Sequence, residues 1–590
     1  MSTSPLTALP SSSSPASFYT PVGGSPATAG DCTNLSTPAT EPASSPYRDA
    51  RPLPRELKEH CQIFFEEQMY NAGIQLLDSL LCAGAGARPG HGKPACVPPP
   101  PQIALLATLA IHPTHTTRVA ERAQLLVASE ALQYLRNLLA IAGPVNANLR
   151  AAFEFRVSSR GGRRHYGLDA TSDEDDVDEE HIHGRFANES SLWTRGQDLW
   201  KVLGWAFNCS AVHPHRWRYW RPWLEFLMDA LEADFDERQR LDLEAHERSA
   251  RDGEDCKFPL LRESLLMSHI NTGNRLGLKT IMKSLCAEGS QASLTVFQEV
   301  FEKESKSAAQ ASNKRKREQI LDLDNDKFGD YYDDGASMYS SQESEPPTPE
   351  KMARGPGRPS AQATRSPPPS AGFIESIPLR LHCATDLFPS FLQLARASLE
   401  LPKPFAALHE VYGAFADAVR ELRAPLFAPF VSTRASPLPV ASQVSLLRAL
   451  LEPFLPRASP YPGDVDAEAD EENGVSLAIL RECYLPFAAN NNAVEANAKY
   501  SLVAENLVRL VWAESEVRHA PELQRAVEKG VRARGEKARA RGRGRPPRGP
   551  AASEGGGGDE GVAREALDRS GERLLTMMRV LEIDSAGASD

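Results

Sequence analysis

HRWRYWRPWLEFLMDALEADF, residues 215–235, decides how the rest of the chain is read. It closes a tryptophan cluster: six of the seven tryptophans lie between residues 193 and 223 (Trp193, Trp200, Trp205, Trp217, Trp220 and Trp223). Two chemistries fit this composition. Arg216, Arg218 and Arg221 interleave with Trp217, Tyr219, Trp220 and Trp223, and mixed cations and aromatics build stacking platforms for single-stranded nucleic acid. Against that, Pro222 suits the first turn of a helix. Leu224, Leu227, Met228 and Leu231 continue an apolar face at helical spacing. Tryptophan rings anchor cores, and arginine stems lie along such faces with their heads in water. The core reading accounts for more of the residues, so a buried helix is expected here, with a partner-protein surface as a further alternative.

Working outward, the same 3.6-residue period recurs on both sides. ELKEHCQIFFEEQMYNAGIQLLDSLL (56–81) places Leu57, Cys61, Phe64 and Phe65, then Ile74, Leu77, Leu80 and Leu81, on helical faces broken near Tyr70 and Asn71, as in a helical hairpin. The hairpin faintly resembles a tetratricopeptide unit, but no second copy follows at a 34-residue period, so no repeat array is expected. A Gly/Pro loop (84–101) separates it from IALLATLAI and RVAERAQLLVASEALQYLRNLLAIAG, whose broad apolar faces require packing partners. Beyond the tryptophans, FPLLRESLLMSHI and LKTIMKSLCAEGSQASLTVFQEVFEKES continue the pattern, and residues 373–518 hold four further amphipathic stretches. In the last of these Leu502, Leu507, Leu510, Val511 and Trp512 form a stripe. Near the end, Leu567, Leu574, Met578 and Leu581 share a helix face that suits docking on the body or on a partner.

The expected fold is therefore mostly α: two helical regions (bundle or irregular α-solenoid-like), 53–305 and 373–518, with a C-terminal helix at 561–583. The remaining segments are Ser/Thr/Pro-rich (1–52), a linker (306–372), a basic tail (519–560) and a short end (584–590), all expected to be disordered because they hold too little apolar surface to offset ordering entropy. TSDEDDVDEE (171–180) reads as a solvated acidic loop.

Composition narrows the class. The nine cysteines are odd in number, scattered and without a C-x-x-C pair, which argues against a disulfide framework or a zinc module. The N-terminus lacks the cationic start and apolar core of a signal peptide, and no run of roughly 18 apolar residues occurs, so a soluble intracellular protein with no membrane partner is expected. There is no P-loop, no Rossmann glycine fingerprint and no H-E-x-x-H. His181 and His183, and His213 and His215, are close pairs without neighbouring thiolates. No cofactor and no metal are expected, and the chain is not read as an enzyme.

The chain as a whole is acidic, with 66 Lys+Arg against 78 Asp+Glu, yet residues 531–549 hold eight cations and one acid, Glu536. Within them Arg543-Gly544-Arg545-Pro546 resembles the core of an AT-hook. Glycine lets the backbone approach a groove floor, arginines extend along a narrow A/T minor groove, and proline holds the backbone extended. The resemblance implies that Arg543 and Arg545 insert into the groove of A/T-rich double-stranded DNA, weakly for a single hook, while Lys537, Arg539, Arg541 and Arg548 touch phosphates. Gly357-Arg358-Pro359 is a weaker second copy, with Pro356 in place of the first arginine and Arg354 available for a phosphate. RG-rich tails also bind RNA, so RNA association remains the alternative, and an enzyme with an unrecognised site is a second one.

Lys314, Arg315, Lys316 and Arg317 form a cationic run of the kind an importin groove takes. Thr348-Pro349-Glu350-Lys351 fits a proline-directed kinase consensus, Ser366 precedes Pro367, and Ser172 precedes three acids, so all three are candidate phosphorylation sites. Together these features describe a nuclear, chromatin-associated scaffold whose helical regions bind protein partners in a nuclear complex.

Overall fold

The chain is mostly helical. The computed structural model describes residues 46–84, 93–119, 122–155, 182–249, 258–270, 275–306, 368–384, 408–434, 436–471, 473–514, 520–540 and 556–587. The predicted stretch FPSFLQLARASLEL lies outside these residues.

The expected hairpin forms as α1 (Arg55–Glu66) and α2 (Tyr70–Cys82). Its turn is made by Gln68 in the left-handed region, φ 60°. Gly73 lets the two helices approach, since a Cβ there would lie 2.6 Å from the Phe65 ring. Preceding α1, β1 (Ala50–Pro52) pairs in parallel with β2 (Ala95–Val97). The sequence reading assigned these to a tail and a loop. Three-residue strands are too short to carry a period of two, so nothing in the pattern announces them. α3 (Pro100–Leu109) and α4 (Arg122–Ile141) complete the first layer, α2 and α3 both packing on α4.

The tryptophan-rich segment forms α5 (Leu199–Val212) and the 36-residue α6 (Pro214–Ser249), which pack on each other. Trp193, Trp200, Trp205, Trp217, Trp220 and Trp223 are all buried, so the cluster is core and offers no stacking platform. Helix α6 starts at Pro214, which leaves Pro222 inside it rather than in its first turn. An interior proline costs about 3 kcal/mol. Each buried indole contributes roughly 4–6 kcal/mol of apolar burial, so the rings on either side of Pro222 offset that cost.

α7 (Arg275–Leu285) packs against α5 and, across the sequence linker, against α9 (Leu408–Glu421). α8 (Ala371–His382) packs on α5 and α6. Ser370 caps α8 by accepting from the Phe373 amide at 3.1 Å and donates to the Ser210 carbonyl of α5 at 2.8 Å. The two helical regions, separate in sequence, thus share one continuous core.

α10 (Ala424–Val431) and α11 (Val440–Leu451) flank α12 (Val494–Glu514), which is buried on nearly every side from Val494 to Val508. Of its predicted stripe, Leu502, Leu507 and Leu510 are buried, while Val511 and Trp512 are half-buried. Two helices close the chain: α13 (Pro521–Ala540) and α14 (Gly556–Gly587), both packed on α12. Leu567, Leu574, Met578 and Leu581 of α14 are buried, so this face docks on the body. The buried Glu505 of α12 takes Arg573 of α14 through two hydrogen bonds of 2.6 and 2.8 Å.

Candidate nucleic-acid interface

The basic stretch divides at residue 540. Its first half is helix rather than tail. Leu523, Ala526, Val527, Gly530, Arg534 and Ala538 recur at helical spacing and form the buried face of α13. Gly530 makes that seat possible: a Cβ at this position would lie 1.7 Å from the Leu485 carbonyl oxygen, so only glycine lets the helix backbone come this close.

Two cations fasten the helix to the segment beneath it. Arg534 is fully buried and donates from Nη1 to the carbonyls of Leu485 and Phe487 at 3.3 and 3.0 Å, with its guanidinium 5.5 Å from the Tyr500 ring centroid. Burial pushes its pKa down to about 10. Lys537 is half-buried and donates from Nζ to the Ala489 carbonyl. The acceptors are the carbonyls of residues 485, 487 and 489, alternate positions of one segment. Lys537, expected on a DNA phosphate, is thus turned toward the body.

The opposite face is different. Arg525, Lys529, Arg532 and Arg539 are exposed. At 3.6 residues per turn they fall within about 80° of one another, on the side away from the buried residues. Arg525 pairs with Glu522 at 3.2 Å. Lys529, Arg532 and Arg539 have no ion-pair partner among the described residues, and Glu536 is the acid on their stripe. This is a cationic ridge standing off a helix whose other face is locked into the core. Arg539, expected on a DNA phosphate, is exposed on this ridge. The contribution of Arg525 and Lys529 escaped it, although their spacing of four, then three to Arg532, was there to be read.

Arg541, Arg543, Gly544, Arg545, Pro546 and Arg548 lie outside the described residues. So do Arg354, Gly357, Arg358 and Pro359 of the weaker copy, Lys314 to Arg317, and Thr348, Ser366 and Ser172.

Most other chemistry-bearing groups are buried or half-buried. The seven described cysteines are free thiols. Burial pushes Cys61 up to about 11, and Cys286 and Cys383 up to about 12, which keeps them protonated. The rings of His213 and His215 sit 5.8 Å apart, and burial holds both below the usual histidine range. Among the described residues no group of three His, Cys, Asp or Glu is placed to hold a metal ion, and no helix is long and apolar enough to cross a membrane.

No protein-family model matches the chain, and no curated protein matches it.

Proposed function

We propose that this protein is a nuclear scaffold that tethers to A/T-rich duplex DNA through its C-terminal basic element and binds protein partners through its helical body, without enzymatic activity. The observation that carries the reading is the exposed cationic ridge of α13, formed by Arg525, Lys529, Arg532 and Arg539, which leads in sequence directly into Arg543-Gly544-Arg545-Pro546. The ridge supplies sequence-independent attraction to phosphates, and the R-G-R-P core supplies preference for a narrow minor groove. The helix that precedes the hook in sequence is fixed to the body. A weak tether of this kind gains residence when protein partners contact the same DNA.

The test is binding of the full chain to labelled A/T-rich and G/C-rich duplexes over a salt series. Arg543→Ala with Arg545→Ala is expected to remove the A/T preference and weaken A/T binding about tenfold, the size of one or two good groove contacts. Arg525→Ala, Lys529→Ala and Arg532→Ala together are expected to weaken both duplexes alike and to reduce the slope of log affinity against log salt by about 2 to 3. Equal affinity of the unmodified protein for the two duplexes, or tighter binding to single-stranded RNA than to either, overturns the reading.

Nuclear residence rests on the Lys314–Arg317 run. Replacing these four residues by Ala is expected to move a fluorescently tagged full chain from nucleus to cytoplasm. An unchanged distribution removes importin recognition of this run from the proposal.

A further inference from the structure

A second cationic site lies far from α13 in sequence. Arg118, Arg185, Arg195 and Lys303 line a cavity of about 320 Å3, with His112 and Phe301 in its wall. They arrive from three different chain segments, Arg185 and Arg195 sharing one. Each arginine is held by one nitrogen and leaves others unused. Arg185 Nε donates to Ser190 Oγ at 2.9 Å, Arg195 Nε to the Glu189 carbonyl at 2.8 Å, and Arg118 Nη2 to the Glu302 carbonyl at 2.9 Å. The terminal nitrogens of Arg185 and Arg195 have no hydrogen-bond partner among the described residues, and Arg118 Nε is buried without one. One anion faces them: Glu302, whose carboxylate pairs with Lys303 at 3.0 Å in an exposed contact. Lys303 holds Glu302 below the usual carboxyl range, first by that hydrogen bond and then by charge, with Arg185 and Arg195 adding to the effect.

The walls are fixed before any ligand arrives. Glu304, next to Lys303, is fully buried and accepts from Arg216 Nε at 2.8 Å, from Trp220 Nε1 at 2.7 Å and from the Phe301 amide at 3.1 Å. The same Arg216 donates to Thr116 Oγ1 and to the Ile111 carbonyl, both at 2.6 Å. One buried ion pair therefore positions both the turn bearing Lys303 and the turn bearing Arg118. Turns already set in this way need no ordering of the backbone on binding.

We propose that this cavity binds a phosphate monoester. A carboxylate offers two acceptor oxygens and is satisfied by a single arginine fork. The free forks of Arg185 and Arg195, with the remaining donors of Arg118 and the Lys303 ammonium beside them, match the three terminal oxygens and near-double charge of a phosphate monoester. A phosphodiester has two free oxygens and one charge, a poorer match to the same donors. The monoester comes either from a small soluble phosphate ester or from a phosphorylated side chain of a protein, and the measurement separates these.

The experiment is calorimetric titration of the full chain with O-phosphoserine, with a nine-residue peptide carrying one phosphoserine, and with the same peptide unphosphorylated. Inorganic phosphate serves as competitor. Saturable binding of phosphoserine is expected, displaced by inorganic phosphate and weakened about tenfold or more in Arg185→Ala/Arg195→Ala, where two charge-assisted contacts are lost. Glu302→Gln is expected to tighten it about threefold by removing a like charge. Both changes are at exposed positions, and an unchanged melting temperature verifies folding. A phosphopeptide that binds tighter than phosphoserine identifies a protein source, and equal affinities identify a small ester; both support the site. Absence of saturable binding overturns it. So does equal binding of the unphosphorylated peptide, affinity unmoved in the double variant, or loss in that variant of single-stranded RNA binding with which phosphoserine does not compete.

Discussion

Lowering the pH from 7 to 5 is expected to remove about 2 kcal/mol of folding stability for each of three histidines, two buried and one half-buried. Burial is the main cause in all three: it holds His112 down to about 3, and His115 and His269 down to about 4. For His112 the charges of His115, Arg216, Arg118 and Arg185 add to it. A histidine whose folded value lies below its ordinary 6.5 is protonated first in the unfolded chain as pH falls. The stability it contributes is complete above about pH 6.5 and declines until the folded-state value is reached. Asp229, Asp234 and Asp236 oppose the trend, because burial raises their carboxyls and the folded form takes up those protons first. The histidines together account for about 6 kcal/mol at pH 5, comparable with the whole stability of a typical domain. Urea midpoints between pH 7.5 and 5 measure the slope. His115→Phe isolates one member. Both ring nitrogens of His115 are buried without hydrogen bonds, and its ring meets Tyr70 and Phe186 edge-on at 5.4 and 5.0 Å. The variant is expected to fold normally at pH 7 and to flatten the slope by about a third. A stability that stays level from pH 7 to 5, or a slope indifferent to His115→Phe, overturns the assignment of these groups as buried and neutral.

Much of this fold was legible because long helices repeat their signal. The hairpin at 55–82, the burial of the tryptophans and the docking face of Leu567, Leu574, Met578 and Leu581 all follow from apolar residues recurring every three or four positions. What escaped has a different physical origin. The β1–β2 pair is three residues long on each side, below the length at which alternation registers. The first half of the basic tail hid its helix because the face that docks includes Gly530 and Arg534, residue types that a hydropathy pattern scores as solvent-facing. The cavity around Arg118, Arg185, Arg195 and Lys303 combines residues spread over 186 positions of sequence, and only folding brings them together. The DNA reading has the reverse character: its sharpest element is a short motif of residue types, while the structure contributes the ridge beside it.

Arg380→Ala is expected to cost about 3–5 kcal/mol, the size of a large-to-small cavity together with buried acceptors left without a donor. Arg380 lies on α8, in the second helical region, and is fully buried. All five guanidinium hydrogen bonds reach acceptors: Nε to Ser376 Oγ at 2.7 Å, Nη1 to the carbonyls of Leu285 and Ala287 at 2.7 and 2.9 Å, and Nη2 to the Phe207 carbonyl and Ser210 Oγ at 3.2 and 3.1 Å. The rings of Phe207 and Phe373 lie over it, with centroids at 4.2 and 4.8 Å. No carboxylate among the described residues is bonded to it. The compensating charge comes from carbonyl dipoles at the C-terminal ends of α5 and α7, where the helix macrodipole is negative. Burial pushes its pKa down to about 9, which still leaves it charged at neutral pH. Removing it strands the carbonyls of Leu285 and Ala287 beside a new cavity, while Ser210 and Ser376 keep their bonds to the Phe207 and Phe373 carbonyls. The shape of the loss tests the dipole account. Lysine keeps the charge and can satisfy three of the five acceptors, so Arg380→Lys should recover part of the stability. Methionine fills the volume and donates nothing, so Arg380→Met should resemble alanine more than lysine. Urea midpoints give the order, and limited proteolysis between residues 306 and 367 reads whether the two regions have separated. Equal stability of the lysine and methionine variants would mean that packing alone joins the halves, and that the carbonyl cage contributes nothing.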